Sequence, residues 1–414
     1  MVVYRRLLAA MIVLSLAACS APAQGTPAPS ASASVVVEDV PVSPFEQAIS
    51  LLRKQGAALL AGDEAGWLAA VDAPLQTRYR KMFTTLRALD VSQFLYTPHL
   101  LSQPADPVMK IEADVTYCFS MGLCPTYGSG GNEAPKLRQT LTVKTVGGKL
   151  VIAAVGASKT RNSLQPTPWE NTALTIRQGD RVTVAATASE AAKLDDVLAL
   201  AESAAKLNDR IAGYVENPQK RYRIYLADAK AWRTWYQGDN GKYVIGYSIN
   251  LNADGADVVL NMPALGRDQR LLATTVKHEM GHVVTNSGIN ATGRADTWLI
   301  EGIAEYIGWS PAAASASWRR PAVHAAVHGR HRPASIVMLP LADDAPLSKI
   351  DAFYGLGHFA MNCMANKYGQ RALFDFVRYR LQNGFEYDDA SRRAFKKPFA
   401  TVDKACVAWI RATA

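Results

Sequence analysis

His278-Glu279-Met280-Gly281-His282 sits in the middle of a segment that reads as an amphipathic helix. Asp268 is a good N-cap, and Gly288, after Asn286-Ser287, is a good terminator. Leu272, Val276, Met280 and Val283 fall on one stripe, the core side. Leu271, Thr275, His278 and His282 fall on the adjacent stripe. Two imidazoles at i and i+4 leave one helix face and can close on a single metal ion, with Glu279 beside them. The same five residues in a loop would carry far less weight.

Eighteen residues after His282 comes Glu301, inside Trp298-Leu299-Ile300-Glu301-Gly302-Ile303-Ala304-Glu305-Tyr306. This is a second helix, capped by Asp296 and ended by Gly308 and Pro311. Leu299, Ile303 and Ile307 face the core, whereas Trp298, Glu301 and Glu305 share another face. Two histidines alone do not make a catalytic zinc site; three protein ligands and an open position for water do. Glu301 is the candidate third ligand. Gly302 costs its helix about 1 kcal/mol against alanine. A close helix–helix approach would account for it, as would simple packing.

His278-Glu279-x-x-His282, eighteen residues and then Glu301 resembles the gluzincin metallopeptidases, over roughly Ala256 to Tyr354. The spacing is most similar to the aminopeptidase type and near that of thermolysin. The resemblance implies a zinc-dependent peptidase: one Zn²⁺ held by His278, His282 and Glu301, and a peptide or protein as substrate. Glu279 would be the general base, taking a proton from water and passing it to the leaving amine. Glu305, one turn after Glu301, would hold the other N–H of His278. An oxyanion donor is expected on a later helix, with Tyr354 first and His358 second; a plain core tyrosine is the alternative for Tyr354. The strand Ala256 to Asn261 would form the rim of the cleft and hold substrate backbone by strand addition; an ordinary edge strand is the alternative. Two features depart from the aminopeptidases: the domain is shorter, nearer the minimal gluzincin core, and the Gly-x-Met-Glu-Asn run that grips the substrate α-amine is missing. The corresponding region is Val258-Val259-Leu260-Asn261-Met262-Pro263. Exopeptidase action therefore does not carry over, and endo- or exo-action and oligomeric state stay open. A catalytically degenerate binding or scaffold lipoprotein, and hydrolysis of non-peptide amides, stand beside the peptidase reading.

The whole chain, 414 residues with 49% hydrophobic and 20% charged content, has room for two domains. Arg5 and Arg6 precede an apolar run, Leu7 to Ala18, of twelve residues. That is short of the about 20 needed to span a bilayer, and reads as an export signal over 1–18. Leu16-Ala17-Ala18-Cys19 resembles a bacterial lipobox, which implies a lipid on Cys19 and a place at the extracytoplasmic face of the cell membrane; a signal cut nearby is the alternative. An Ala/Pro/Ser-rich tether follows over 19–43. Beyond Cys19, four of the five cysteines remain, Cys118, Cys124, Cys363 and Cys406. An even number in an exported chain suggests disulfides. Cys118–Cys124, a short loop, and Cys363–Cys406, tying two C-terminal helices, are the favoured pairs; free buried thiols are the alternative. The formal charge is +9, but no dense Lys/Arg block with interleaved aromatics is present. Nucleic acid is therefore not an expected partner.

Element order gives an α+β fold. Over 44–160, helices at Phe45–Ala61, Glu64–Val71 and Tyr79–Leu89 precede strands at Val91–Tyr96, Lys110–Cys118, Arg138–Val146 and Lys149–Val155, with Gly147-Gly148 as a hairpin turn. That order resembles the NTF2-like cone. Over 169–414 a small sheet, with strands near 173–187, 221–226, 243–251 and 256–261, joins a mainly helical metallopeptidase domain. His324, His328 and His331 cluster among Arg319, Arg320, Arg330 and Arg332. Local positive charge disfavours a cation there, and the group reads as a solvated basic face.

Overall fold

The computed structural model describes residues 42–101, 108–119, 134–157, 164–238, 241–252, 255–286, 294–342 and 344–414. Cys19, Cys124, Gly288 and the export signal lie outside the described residues. From Ser43 onward the chain forms one compact unit, with α+β architecture and two sheets.

Three helices open it: α1 (Pro44–Ala61), α2 (Glu64–Ala69) and α3 (Gln76–Ala88). Ser43 caps α1 through a reciprocal box with Glu46. An antiparallel meander follows: β1 (Val91–Leu100), β2 (Val108–Phe119), β3 (Lys136–Val146) and β4 (Lys149–Ala157), in that spatial order. Gly147 and Gly148, both at positive φ (56° and 76°), close the β3–β4 hairpin. Alternation along β3 turns Leu137, Leu141 and Val143 inward against the helices. Trp67, Phe94 and Tyr117 fill this core together with Trp169, whose ring meets Tyr117 edge-on at 5.0 Å. Trp169 comes from the short helix α4 (Pro168–Asn171).

The second sheet uses β5 (Thr175–Gln178), β6 (Val182–Ala186), β7 (Tyr222–Ala227), β8 (Gly246–Asn252) and β9 (Gly255–Asn261), in the order β5-β6-β7-β9-β8. Its three central strands, β6, β7 and β9, are parallel, and both edge strands are antiparallel to their neighbours. Strands covered on both faces need continuous burial, and β6 and β7 are buried at every residue. One face, with Val184, Ile224 and Val258, belongs to the main core. The other, with Ala185, Tyr225 and Val259, packs on Trp232, Trp235 and Tyr236. The strand expected at the cleft rim, β9, is hydrogen-bonded on both sides and has no free edge. The edge strand on that side of the sheet is β8. Ala256 to Leu260 are all buried, with Asp257 paired to Arg223, which suits an interior position covered on both faces.

Between the central strands of this sheet sits a buried ion pair. Arg223 on β7 donates to Asp257 on β9 at 2.6 Å, and Tyr236 donates to the other oxygen at 2.5 Å. The Arg223 guanidinium also lies 4.4 Å from the centre of the Phe119 ring at the end of β2, which joins the two sheets.

Helices supply the rest: α5 (Leu194–Tyr214), α6 (Ala229–Trp232), α7 (Met262–Leu265), α8 (Gln269–Thr285), α9 (Thr297–Trp309), α10 (Arg320–His328), α11 (Leu347–Tyr368), α12 (Gln370–Val377), α13 (Tyr387–Phe395) and α14 (Phe399–Thr413). A disulfide between Cys363 and Cys406 ties α11 to α14. Cys118 is also disulfide-bonded. Among the described residues no helix is long and apolar enough to cross a membrane.

Gly302 meets Gly357 where α9 crosses α11. A Cβ on Gly302 would stand 2.9 Å from the Gly357 carbonyl. The clash would be with backbone, which cannot swing aside, so the glycine buys the close approach. Gly302→Val is expected to cost at least about 1–3 kcal/mol through overpacking, read as a lowered denaturant midpoint. An unchanged midpoint would refute the tight crossing.

Candidate metal centre

Asp268 accepts from the amides of Arg270 and Leu271, both at 2.9 Å, and so starts α8. Leu272, Val276, Met280 and Val283 are buried, which fixes the helix's rotation. His278 and His282 then leave one face with their Nε2 atoms 3.1 Å apart. Asp296 stands at the N-cap of α9, but its side chain makes no cap bond there. Its carboxylate is taken by Arg380 and by the Tyr387 hydroxyl, which anchor the start of α9. One turn on, Glu301 Oε2 lies 3.4 Å from the Nε2 of each histidine.

These three donor atoms could hold a metal ion. Atoms about 2.0–2.2 Å from a tetrahedral zinc stand about 3.4 Å apart, close to the spacings seen. Among the described residues this is the one group of three or more such donors. His324, His328 and His331 are exposed and do not join it.

Each imidazole has a partner on its far nitrogen. Glu305 Oε1 is 3.4 Å from His278 Nδ1. The Asn286 side-chain nitrogen is 3.0 Å from His282 Nδ1; with Nε2 given to a metal, Nδ1–H would donate, and a flip of the amide would bring its oxygen there to accept. Asn286 is the C-cap of α8, one turn past His282, and sequence reasoning missed it although its i+4 offset was visible. Asn286→Ala is expected to weaken metal binding about 10–100-fold, measured by competition with a chromophoric chelator. Wild-type affinity would remove Asn286 from the site.

Arg319 was also misplaced. Read as part of a solvated basic face, its side chain is only 16% exposed. It lies 3.4 Å from Glu305, donates to Asp351 on α11, and stacks 5.1 Å from the centre of the Tyr354 ring. Two carboxylates on different helices draw it inward. Arg319 and its two partners lie on three different elements, so no local pattern announced them. Arg320, Arg330 and Arg332 are exposed, as expected.

Glu279 is buried, and its Oε2 has no hydrogen-bond partner. Burial raises its pKa, outweighing the pull of the two histidines. Gly246 at the start of β8 lies against it: a Cβ there would be 2.9 Å from Glu279 Oε1. Tyr354 lines the same cleft, its ring centre 6.3 Å from that of His278. The charge of Glu301 and burial push its hydroxyl well above the ordinary tyrosine range, so it stays a donor. His358 is fully buried against Trp309, with both ring nitrogens unpartnered. Burial lowers it to about 4. It does not line the cleft.

Burial pulls the His278 imidazole toward neutrality, but hydrogen bonds to Glu301 and Glu305 win and raise it to about 10. Burial pushes both glutamates up, yet the histidines, and Arg319 for Glu305, hold them well below the usual carboxylate range. In the metal-free protein the raised histidine contributes stability that is complete below its unfolded value of 6.5 and is lost as pH rises toward about 10. The depressed glutamates contribute stability present above 4.5 and lost as pH falls. Chelator-treated protein should therefore melt highest between about pH 4.5 and 6.5. A melting temperature that climbs steadily to pH 9 would contradict this.

The sequence matches no known protein-family model, and no curated protein matches it.

Proposed function

We propose that this protein is a zinc-dependent peptidase of gluzincin type. The observation that carries the reading is the convergence of three donor atoms, 3.1–3.4 Å apart, beside a buried carboxylate with a free oxygen. A zinc ion on His278, His282 and Glu301 would supply Lewis acidity to water and to a scissile carbonyl. Glu279 takes a proton from water, helped by the burial that raises its pKa, and returns it to the leaving amine. Tyr354 donates its hydroxyl proton toward the carbonyl oxygen as charge develops. Glu305 and Asn286 hold the two imidazoles in the tautomer that frees Nε2. Residues 44–160 are read as an NTF2-like cone, residues 1–18 as a lipoprotein signal, and Cys19 as the lipid-bearing residue that holds the enzyme at the extracytoplasmic membrane face.

The test is digestion of a denatured protein by the zinc-loaded chain, with products sequenced by mass spectrometry. New termini at peptide bonds are expected. Tight binding of the denatured protein without a single cut would favour a binding or scaffold lipoprotein instead.

A further inference from the structure

We infer that Arg380, remote in sequence from the candidate ligands, is a positioning residue of the metal centre: together with Tyr387 it holds Asp296 and the first turn of α9, and with them the place of Glu301. This rests on the reading of His278, His282 and Glu301 as metal ligands and deepens it.

An aspartate at the start of a helix ordinarily turns its carboxylate onto the free amides of the first turn. Asp296 makes no such bond. It is 1% exposed, and its printed partners come from near the other end of the chain. Arg380 donates to both of its oxygens, from Nε at 2.9 Å and Nη2 at 3.1 Å, a two-pronged grip that fixes angle as well as distance. The Tyr387 hydroxyl donates to Asp296 at 2.5 Å and accepts from the Trp298 indole N–H at 2.9 Å. The cap of α9 and its first turn are therefore both held from α13 and the segment before it.

Arg380 is itself well held. It is 5% exposed, donates to the Phe385 carbonyl at 3.0 Å and lies 4.5 Å from the centre of the Tyr387 ring. It sits on a π-helical turn, Arg378–Gln382, that continues α12. Such turns are rare and recur at functional sites. Stability alone does not account for the arrangement. Taking both charges out of water costs so much that an apolar pair of similar volume often folds as stably or better. What an apolar pair lacks is direction.

Direction matters because of what α9 carries. Trp298, Glu301 and Glu305 share one face, so a grip on Trp298 is a grip on the face that meets the two histidines. A group about 5–6 Å from a helix axis moves about 1 Å when the helix turns by about 10°. Metal–ligand distances tolerate only about 0.2 Å. Gly302, meeting Gly357 backbone to backbone, fixes the approach to α11 but offers no side chain to key the rotation. Leu299 and Ile303 set that rotation to within the give of apolar packing, and the bonds to Asp296 and Trp298 set it more finely.

The experiment uses the full chain. Zinc affinity is read by competition with a chromophoric chelator, and ligand geometry by the visible spectrum of the cobalt-substituted protein. Both are measured at a temperature where circular dichroism shows each variant folded. Tyr387→Phe keeps the ion pair and removes only the hydroxyl bridge. The double variant, Asp296→Leu with Arg380→Met, removes both charges together, so that neither is left buried alone. Each is expected to weaken zinc binding about 10–100-fold and to shift the cobalt bands. A folded variant of either kind with wild-type affinity and spectrum would overturn the inference, leaving the network as structural glue. Should the double variant fail to fold, Tyr387→Phe decides alone. Wild-type protein that takes up neither zinc nor cobalt would instead overturn the metal-site reading beneath.

Discussion

Glu279→Gln is expected to keep its metal, keep or gain stability, and lose peptide cleavage, with kcat/KM falling about 10²–10⁴-fold. The amide has the same shape and fits the same slot beside Gly246, but it cannot accept a proton. The stability sign follows from burial. Glu279 has its pKa raised in the folded protein, so above its unfolded value of 4.5 the ionised form is less stable folded than unfolded. A neutral side chain removes that penalty, the usual trade of stability for activity at a functional site. Rates and melting curves on the same preparations decide it. A variant that cleaves as fast as wild type would show that another group moves the proton.

Glu301→Ala should have the largest effect on the metal. Loss of a direct ligand is expected to weaken zinc binding by more than the about 10–100-fold typical of supporting residues. Metal bound at 1,000 times Kd stabilises a protein by about 4.1 kcal/mol, and each tenfold loss of affinity removes about 1.4 kcal/mol of that. The zinc-dependent rise in melting temperature should therefore shrink sharply or vanish. Glu305→Gln should keep most of it, because Glu305 faces the far nitrogen of His278 rather than the three converging donors. If the two variants bound zinc equally well, the assignment of Glu301 as ligand and Glu305 as its support would be wrong.

Much of this centre was legible because local signals agreed. The cap at Asp268, the apolar stripe from Leu272 to Val283 and the histidine spacing all specify one helix in one rotation. The Gly302 signal had the physical cause suggested for it, a close crossing with α11. The pairing of Cys363 with Cys406 was legible from two helical segments needing a tie. The errors lie where contacts are long-range. The position of β9 before α8 suggests the cleft rim, yet Val258-Val259-Leu260, apolar on both strand faces, already suits an interior strand. Strand order depends on crossovers, which local periodicity does not encode. Arg319 reaches carboxylates on two other helices, and Asp296 gives up its capping role to Arg380 and Tyr387, more than eighty residues away. Both are decided by tertiary packing.

The most direct measurement is cleavage of a denatured protein by the full chain before chelation, after it, and during stepwise return of zinc. Activity should disappear with the metal and return in proportion to zinc, reaching its plateau at one equivalent per chain. Chelated, metal-free protein that cleaves at the original rate would contradict the account.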